Sequence, residues 1–245
     1  MNSRQKDIVQ MLKQRGEITI KALAENFDVS EMTIHRDVDM LEEQRYLYKK
    51  RGAVVYIENA DRDTTDFYSE EKRTIGIKAA SLIGEGESIA FDNSTTALEC
   101  AKFLDPSKKY VFYTTGMDAN AVLASYEKSI LCCCGGYYFP MSKGFVGSLA
   151  ESFIASIEAD VCIIGASGVS ASGGITIPYP MHTAIQKLII ARSKKRILVC
   201  DHSKFDKIAM ERVCEITDID LIVTDAGISD ELFEKYSKMV KIIKA

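Results

Sequence analysis

The chain has 245 residues, of which 47% are hydrophobic and 27% charged, and a formal net charge of −4. That length suits two domains and that composition an ordinary folded chain, while the small net charge excludes a globally basic nucleic-acid binder; any such contact has to come from a local patch. The amino-terminal residues are polar and charged, and no apolar run is long enough to cross a bilayer, so a cytoplasmic protein with no membrane partner is expected.

In chain order, Ser3 to Arg15 reads as a first helix with Ile8, Met11 and Leu12 inward and Gly16 as its stop. A second helical run, Ile20 to Phe27, leads into Val29-Ser30-Glu31-Met32-Thr33-Ile34-His35-Arg36-Asp37-Val38. Ser30 is placed to cap this third helix, Ile34, Val38 and Leu41 fall on one apolar face, and Met32, Arg36 and Asp39 point the other way. The layout is that of a helix-turn-helix recognition helix, in which Ser30, Met32, Thr33, His35 and Arg36 face phosphates and base edges. An ordinary amphipathic helix is the alternative.

The segment after this helix favours DNA. Arg45 to Tyr56 contains two short β-prone runs hinged on a basic turn with a glycine, which reads as a β-hairpin wing. Between Gln44 and Ile57 stand four basic residues and no acidic one, so Lys49, Lys50 and Arg51 are expected to form a positive patch against the DNA backbone. Residues 1–58 are thus expected to be a winged helix-turn-helix with double-stranded DNA as partner. A polar, charge-rich stretch, 59–74, suits a linker and the first helix of a second domain.

From 75 to 245, apolar runs alternate with helical patterns. Ser88–Phe91, Tyr110–Tyr113, Ile130–Cys134, Val161–Ile164, Arg196–Cys200 and Leu221–Val223 read as strands of a mostly parallel sheet. Thr96–Leu104, Ala119–Ser125, Phe145–Ile157 and Ala184–Arg192 read as crossover helices, giving a doubly wound α/β domain. Ligands of such sheets sit beyond the carboxyl ends of the strands. There the sequence places Asp92, Ser94, Thr95 and Thr96, then Thr115, then Gly135 and Gly136, then Gly168, then Asp201 and Lys204. Hydroxyls beside helix-start amides suit an anion, Lys204 supplies charge, and Asp92 and Asp201 suit sugar-like hydroxyls; together they describe a phosphate-sized pocket. Ser, Thr, Asp and Gly also favour caps and turns, so each loop alone has a purely structural reading.

The seven cysteines show no paired metal-ligand spacing. Adjacent side chains of a strand point to opposite faces, so Cys132, Cys133 and Cys134 cannot converge on one ion and are expected to be small buried hydrophobes. His35, His182 and His202 fall in different elements. Neither metal nor cofactor is expected. An enzyme of the sugar-phosphate isomerase or hydrolase type, using Asp92, Asp201 and Lys204 as acid, base and electrophile, is the rival reading, and it lacks a recognisable nucleophile and base pair.

Nearly the whole chain resembles the DeoR family of bacterial transcriptional regulators. The resemblance is carried by Val29-Ser30, Thr33-Ile34 and Arg36-Asp37, by Gly52-Ala53, and by Asp92 with Thr95-Thr96. It continues through Gly135-Gly136, Gly147, Asp160, Gly165 with Gly168, Asp201 with Ser203-Lys204-Phe205, and Thr224-Asp225. It implies a winged helix-turn-helix joined to a sensor domain similar to sugar-phosphate isomerases. The implied activity is that of a repressor of sugar metabolism, released from or tuned on its operator by a phosphorylated sugar or related metabolite. The chain departs from the family pattern where His35 replaces Arg, Arg45 and Ser94 replace Gly, Thr115 replaces Asn, and His182 and Gln186 replace an acidic residue and Lys. His35 is a smaller and largely neutral ring in place of a charged fork, so Arg36 is expected to carry more of the DNA contact. A homodimer or homotetramer would match two reading heads to a repeated operator.

Overall fold

The computed structural model describes residues 3–43, 46–50, 52–56 and 69–245. They fall into two units, 1–67 and 68–245. The expected linker up to residue 68, together with Arg45 and Arg51, lies outside the described residues.

In the first unit, α1 (Ser3–Arg15), α2 (Ile20–Phe27) and α3 (Glu31–Glu43) pack around Ile8, Val9, Leu12, Leu23, Ile34, Val38 and Leu41. Val9 is fully buried, whereas Met11, expected inward, only packs partly against this core. Each of the large apolar side chains contributes about 1.5–3 kcal/mol by leaving water. Thr19 caps α2 by accepting from the Ala22 amide at 3.1 Å, and Asp28, at φ 50°, ends it, giving the tight turn into α3. The hairpin is present as β2 (Leu47–Lys50) and β3 (Ala53–Tyr56), paired Lys50 to Ala53 across a two-residue turn in which Gly52 adopts φ 78°. A short strand unforeseen in the sequence, β1 (Glu17–Thr19), adds to it in the order β1-β3-β2.

The second unit begins with α4 (Ser69–Ala80), which starts inside the 59–74 stretch and runs past its end. Its frame is a seven-stranded parallel sheet in the order β15-β14-β12-β9-β4-β5-β6. The strands are β4 (Ser88–Phe91), β5 (Val111–Thr114), β6 (Ile130–Cys133), β9 (Ala159–Ile164), β12 (Ser193–Val199), β14 (Leu221–Thr224) and β15 (Lys241–Lys244). Alternation divides them between two cores: Ile89, Phe91, Val161, Ile163, Ile197 and Val199 face α4, α5 (Thr95–Lys102) and α6 (Met117–Leu123). Ala90, Cys162, Ile164 and Leu198 face α7 (Ser148–Ala155), α8 (Pro180–Ala191) and α9 (Asp230–Ser237). The chain runs outward from β4 through β5 to β6, then returns to the other side of β4 as β9, so the order in which strands are added reverses between β4 and β9.

Two insertions correct the expectation of simple alternation. Phe145 and Val146 belong not to a helix but to β8 (Gly144–Val146), hairpinned to β7 (Tyr137–Phe139); Gly147, at φ 90°, separates that strand from α7. A separate antiparallel sheet holds β10 (Gly168–Ser170), β11 (Gly174–Ile177) and β13 (Glu211–Cys214). The cysteine run is also only partly as expected: on the edge strand β6 Cys132 is half-buried and Cys133 exposed, and only Cys134, just past its end, is buried.

Candidate nucleic-acid interface and effector site

On α3 the apolar face holds the helix in place and leaves a row of polar groups outside. Ser30 Oγ accepts from the Thr33 amide at 3.3 Å and lies 2.9 Å from the Thr33 hydroxyl, which fixes the first turn. Met32, His35 and Arg36 are exposed, Met32 to 68%. Asp37, next to Arg36, does the opposite job: it is buried, takes Arg4 Nε at 2.5 Å and Gln5 Nε2 at 2.9 Å, and so clamps α3 to α1. Arg36-Asp37 thus pairs one outward side chain with the inward one that orients its helix.

The wing is less positive than its local sequence implies. Lys49 Nζ pairs with Asp39 and, at 2.9 Å, with Glu42, whose other carboxylate oxygen accepts from the Lys49 amide; Lys50 lies 3.4 Å from Glu17. The Lys49 contact lowers the Glu42 pKa, and the Asp39 and Glu42 contacts raise that of Lys49. Counting charges between residues 44 and 57 misses these acids because they come from α3 and β1.

In the second unit the residues after β4, β5, β6, β9 and β12 lie at one sheet edge, as parallel strands require. Asp92 sits at the β4/β9 reversal, fully engaged. Its Oδ1 accepts from the Ser94 amide at 2.9 Å, and its Oδ2 accepts from the Gly165 amide and from Gln186 Nε2, both at 2.8 Å. Burial raises its pKa against the pull of these bonds. The carboxylate is therefore a latch joining β4, β9 and α8, where the sequence suggested a sugar contact. Ser94 is likewise occupied: its Oγ caps α5 by accepting from the Ala97 amide at 3.2 Å. A Cβ on Gly165 would lie 2.4 Å from the Ser94 Cβ, so the extra side chain of Ser94 fills the room beside that glycine. Thr95 and Thr96 form the first turn of α5, half-buried and buried.

Gly135 is open, but Gly136 and Gly168 have structural reasons to be glycine. Gly136 adopts φ 129° with no space for a Cβ beside Val146 O, and a Cβ on Gly168 would lie 2.4 Å from Lys207 O. Thr115 is buried, and its backbone carbonyl accepts from the Phe145 amide at 2.8 Å, which draws the β7–β8 hairpin over this edge. Asp201 is wholly buried; Oδ1 accepts from the Ser203 amide at 3.0 Å and Oδ2 is 4.0 Å from Lys204 Nζ. Asp225, after β14, takes the His202 amide and ring at 2.7 Å each and so pins this loop. Asp160 holds Ser88 and pairs with Lys194 at the opposite, amino edge.

The structure also brings in residues that sequence reading did not assign to the site. Gln186 reaches Asp92 and Gly165 O; His182 Nε2 is 2.5 Å from Ser142 Oγ; Asn93 Nδ2 donates to Ser142 O at 2.9 Å. Partial burial, then the neighbouring Lys204 charge, pushes the Lys207 ammonium pKa down. Burial lowers the His182 pKa to about 4, so the ring is neutral at pH 7. Among the described residues, Thr115 Oγ1, His182 Nδ1, Gln186 Oε1, Asp201 Oδ2 and Thr224 Oγ1 are buried without a hydrogen-bond partner. Unpartnered buried polar atoms at strand ends are what a polar solute would satisfy.

Residues 4–60 match the DeoR-like helix-turn-helix domain, and residues 68–226 match the DeoR C terminal sensor domain. The chain belongs to the DeoR family. Among curated DeoR-like relatives, it is 32% identical over 230 residues to the transcriptional repressor AccR of Agrobacterium fabrum, covering 91% of this chain and 89% of that one. It is 30% identical over 245 residues to the glycerol-3-phosphate regulon repressor of Haemophilus influenzae, covering 97% and 95%. Among solved structures it is similar to ribose 5-phosphate isomerase A of Methanocaldococcus jannaschii, with TM-score 0.41 and 16% identity over 56% of this chain and 55% of that one. For this DeoR-family chain the departures from the family pattern now have positions: His35 is exposed on α3, Ser94 caps α5, and Thr115, His182 and Gln186 all line the sensor edge. Among the described residues no group of three or more His, Cys, Asp or Glu is placed to hold a metal, and no helix is long and apolar enough to cross a membrane.

Proposed function

We propose that this protein is a cytoplasmic repressor of a carbohydrate-metabolism operon whose grip on operator DNA is set by a phosphorylated sugar or similar anionic metabolite. Residues 1–58 read DNA, with Ser30, Met32, Thr33, His35 and Arg36 toward the groove and Lys49, Lys50 and Arg51 toward the backbone. Residues 59–74 connect, and 75–245 sense. The observation that carries the reading is the pairing, in one chain, of an exposed hydroxyl- and guanidinium-bearing helix with strand ends whose buried polar atoms lack partners. The regulon named for the Haemophilus relative, of a phosphorylated polyol, agrees with it.

Thr95, Thr96, Lys204 and Lys207 are the anion end of the proposed site; Thr115, Gln186 and Asp201 offer the remaining polar contacts. The protein binds its metabolite without turning it over: Asp92, the carboxylate an isomerase reading needs as acid or base, has both oxygens committed to protein donors. A homodimer or homotetramer presents paired heads to a repeated operator. A metabolite that favours one arrangement of heads by about 1–3 kcal/mol gives about 5- to 150-fold control. The test is fluorescence anisotropy of the full-length protein on its own upstream DNA, across a salt series, with and without phosphosugars. A steep fall in affinity with salt and a shift produced by one phosphosugar are expected. Binding that ignores salt removes the DNA reading, and turnover of a phosphosugar restores the enzyme.

A further inference from the structure

The proposed anion end of the sensor site leaves open what the other end of the metabolite must be, and α8 answers that. His182 and Gln186 are four residues apart, hence on one face of the helix, and each is only 5% exposed. The Gln186 amide is oriented by its partners. Asp92 Oδ2 and Gly165 O, both at 2.8 Å, are acceptors, so both must receive Nε2–H, and Oε1 is left as a buried, unpartnered acceptor. The His182 Nε2 meets Ser142 Oγ at 2.5 Å, and its Nδ1 is buried without a hydrogen-bond partner. A Cβ on Gly144 would meet both His182 Cε1, at 2.9 Å, and Asn93 Cβ, at 3.0 Å, so the β7–β8 hairpin closes over this ring directly beside the Asp92 loop.

Gln186 Oε1 is a buried acceptor that repels phosphate and carboxylate oxygens and accepts from hydroxyls, and on the same helix face His182 Nδ1 is a second unpartnered group of a kind that a hydroxyl, able to donate and to accept, satisfies. Building on the phosphosugar reading, we infer that His182 and Gln186 are specificity-determining residues that receive the uncharged, hydroxyl-bearing end of the metabolite beneath the β7–β8 hairpin. The site then selects phosphosugars over the sugar-acid phosphates that differ from them by a terminal carboxylate. The metabolite lies with its phosphate toward Thr95, Thr96 and Lys204 and its hydroxyls toward α8.

Calorimetric titration of the full-length protein with inorganic phosphate, glucose 6-phosphate, fructose 6-phosphate, ribose 5-phosphate and 6-phosphogluconate tests this. At least one uncharged-ended sugar phosphate is expected to bind about tenfold or more tighter than 6-phosphogluconate. Gln186→Met, which keeps length and removes the Oε1 acceptor along with the Nε2 donors to Asp92 and Gly165, should cut that preference by about tenfold. If that variant does not fold, His182→Phe, whose ring keeps the packing against Phe139, carries the same expectation. Equal binding of 6-phosphogluconate, or variants within twofold of the parent for every sugar phosphate, overturns the inference while the phosphosugar reading survives. Failure of every probe, inorganic phosphate included, overturns that reading and the inference with it.

Discussion

The reading helix and the sensor edge present the same residue types, Ser, Thr, His and a basic side chain, in opposite physical settings. On α3 they stand in solvent, with Ser30 bonded three residues along to Thr33 and the wing lysines held by surface carboxylates. At the sheet edge, Asp201 is 0% exposed and Gln186 5%, and the Gln186 partners, Asp92 and Gly165, follow strands far from it in the chain. A long polyanion is met by exposed groups that exchange water and surface carboxylates for phosphate at little cost. A small solute needs groups already dehydrated and oriented, because each hydrogen bond it forms has to outweigh its own loss of water.

The sharpest way to expose that difference is pH. The His182 pKa falls from its ordinary 6.5 to about 4 on burial, so between those values the unfolded chain binds the proton and the folded one does not. Folding stability contributed by His182 is then complete above pH 6.5 and declines as pH falls toward 4, by about 3 kcal/mol in total. Urea unfolding at a series of pH values should show this decline, and His182→Phe should remove it; an unchanged pH profile in the variant would mean that the ring is hydrated.

The next largest effect concerns the Asp92 latch. Gly165→Ala puts a methyl group 2.4 Å from the Ser94 Cβ and should cost about 2 kcal/mol, lowering the melting temperature by about 5 °C. Adding Ser94→Gly removes the obstacle and should restore much of the loss, a coupling that a double-mutant cycle measures directly. Additive effects would show that the two loops move apart freely. No substitution on the exposed face of α3 should approach this cost.

These contrasts also explain what is legible in the sequence. The helix-turn-helix is legible because its signals are local: a cap at Ser30, apolar spacing through Ile34, Val38 and Leu41, and a hairpin turn at Gly52. The parallel sheet is legible through its apolar runs, and with it the strand ends that bear Asp92, Thr115 and Asp201. The β7–β8 hairpin escapes notice because Phe145 and Val146 fit the apolar pattern of the helix after them; only Gly147, whose positive φ breaks it, signals otherwise. The roles of Asp92, Ser94 and the wing lysines are out of reach of local spacing. Gln186 meets Asp92 across 94 residues, and Lys49 meets acids from the recognition helix. Gln186 and His182 are signalled by their departure from the family pattern and by being polar on the inner face of an otherwise apolar helix, but neither signal names the partners they meet.

On the DNA side the expected effects are smaller in stability and appear in affinity. Arg36→Ala removes an exposed guanidinium and should weaken operator binding about tenfold, lower the salt slope by about 1 if the contact is to phosphate, and leave phosphosugar binding unchanged. Loss of both activities together would mean that the units do not function separately. The smallest effect is the most informative about the wing. Lys49 is shared between Asp39 and Glu42, so Asp39→Asn frees part of its charge without altering the hairpin. Binding to non-operator DNA should then tighten about twofold to threefold at low salt, and the gain should vanish as salt rises, because exposed charges are screened within about 10 Å at 0.1 M. Lys49→Ala in the Asp39→Asn background should abolish the gain. If Asp39→Asn instead weakens binding, Asp39 is holding Lys49 in the geometry that meets phosphate, and the acidic partners of the wing are part of the DNA-reading surface rather than a brake on it.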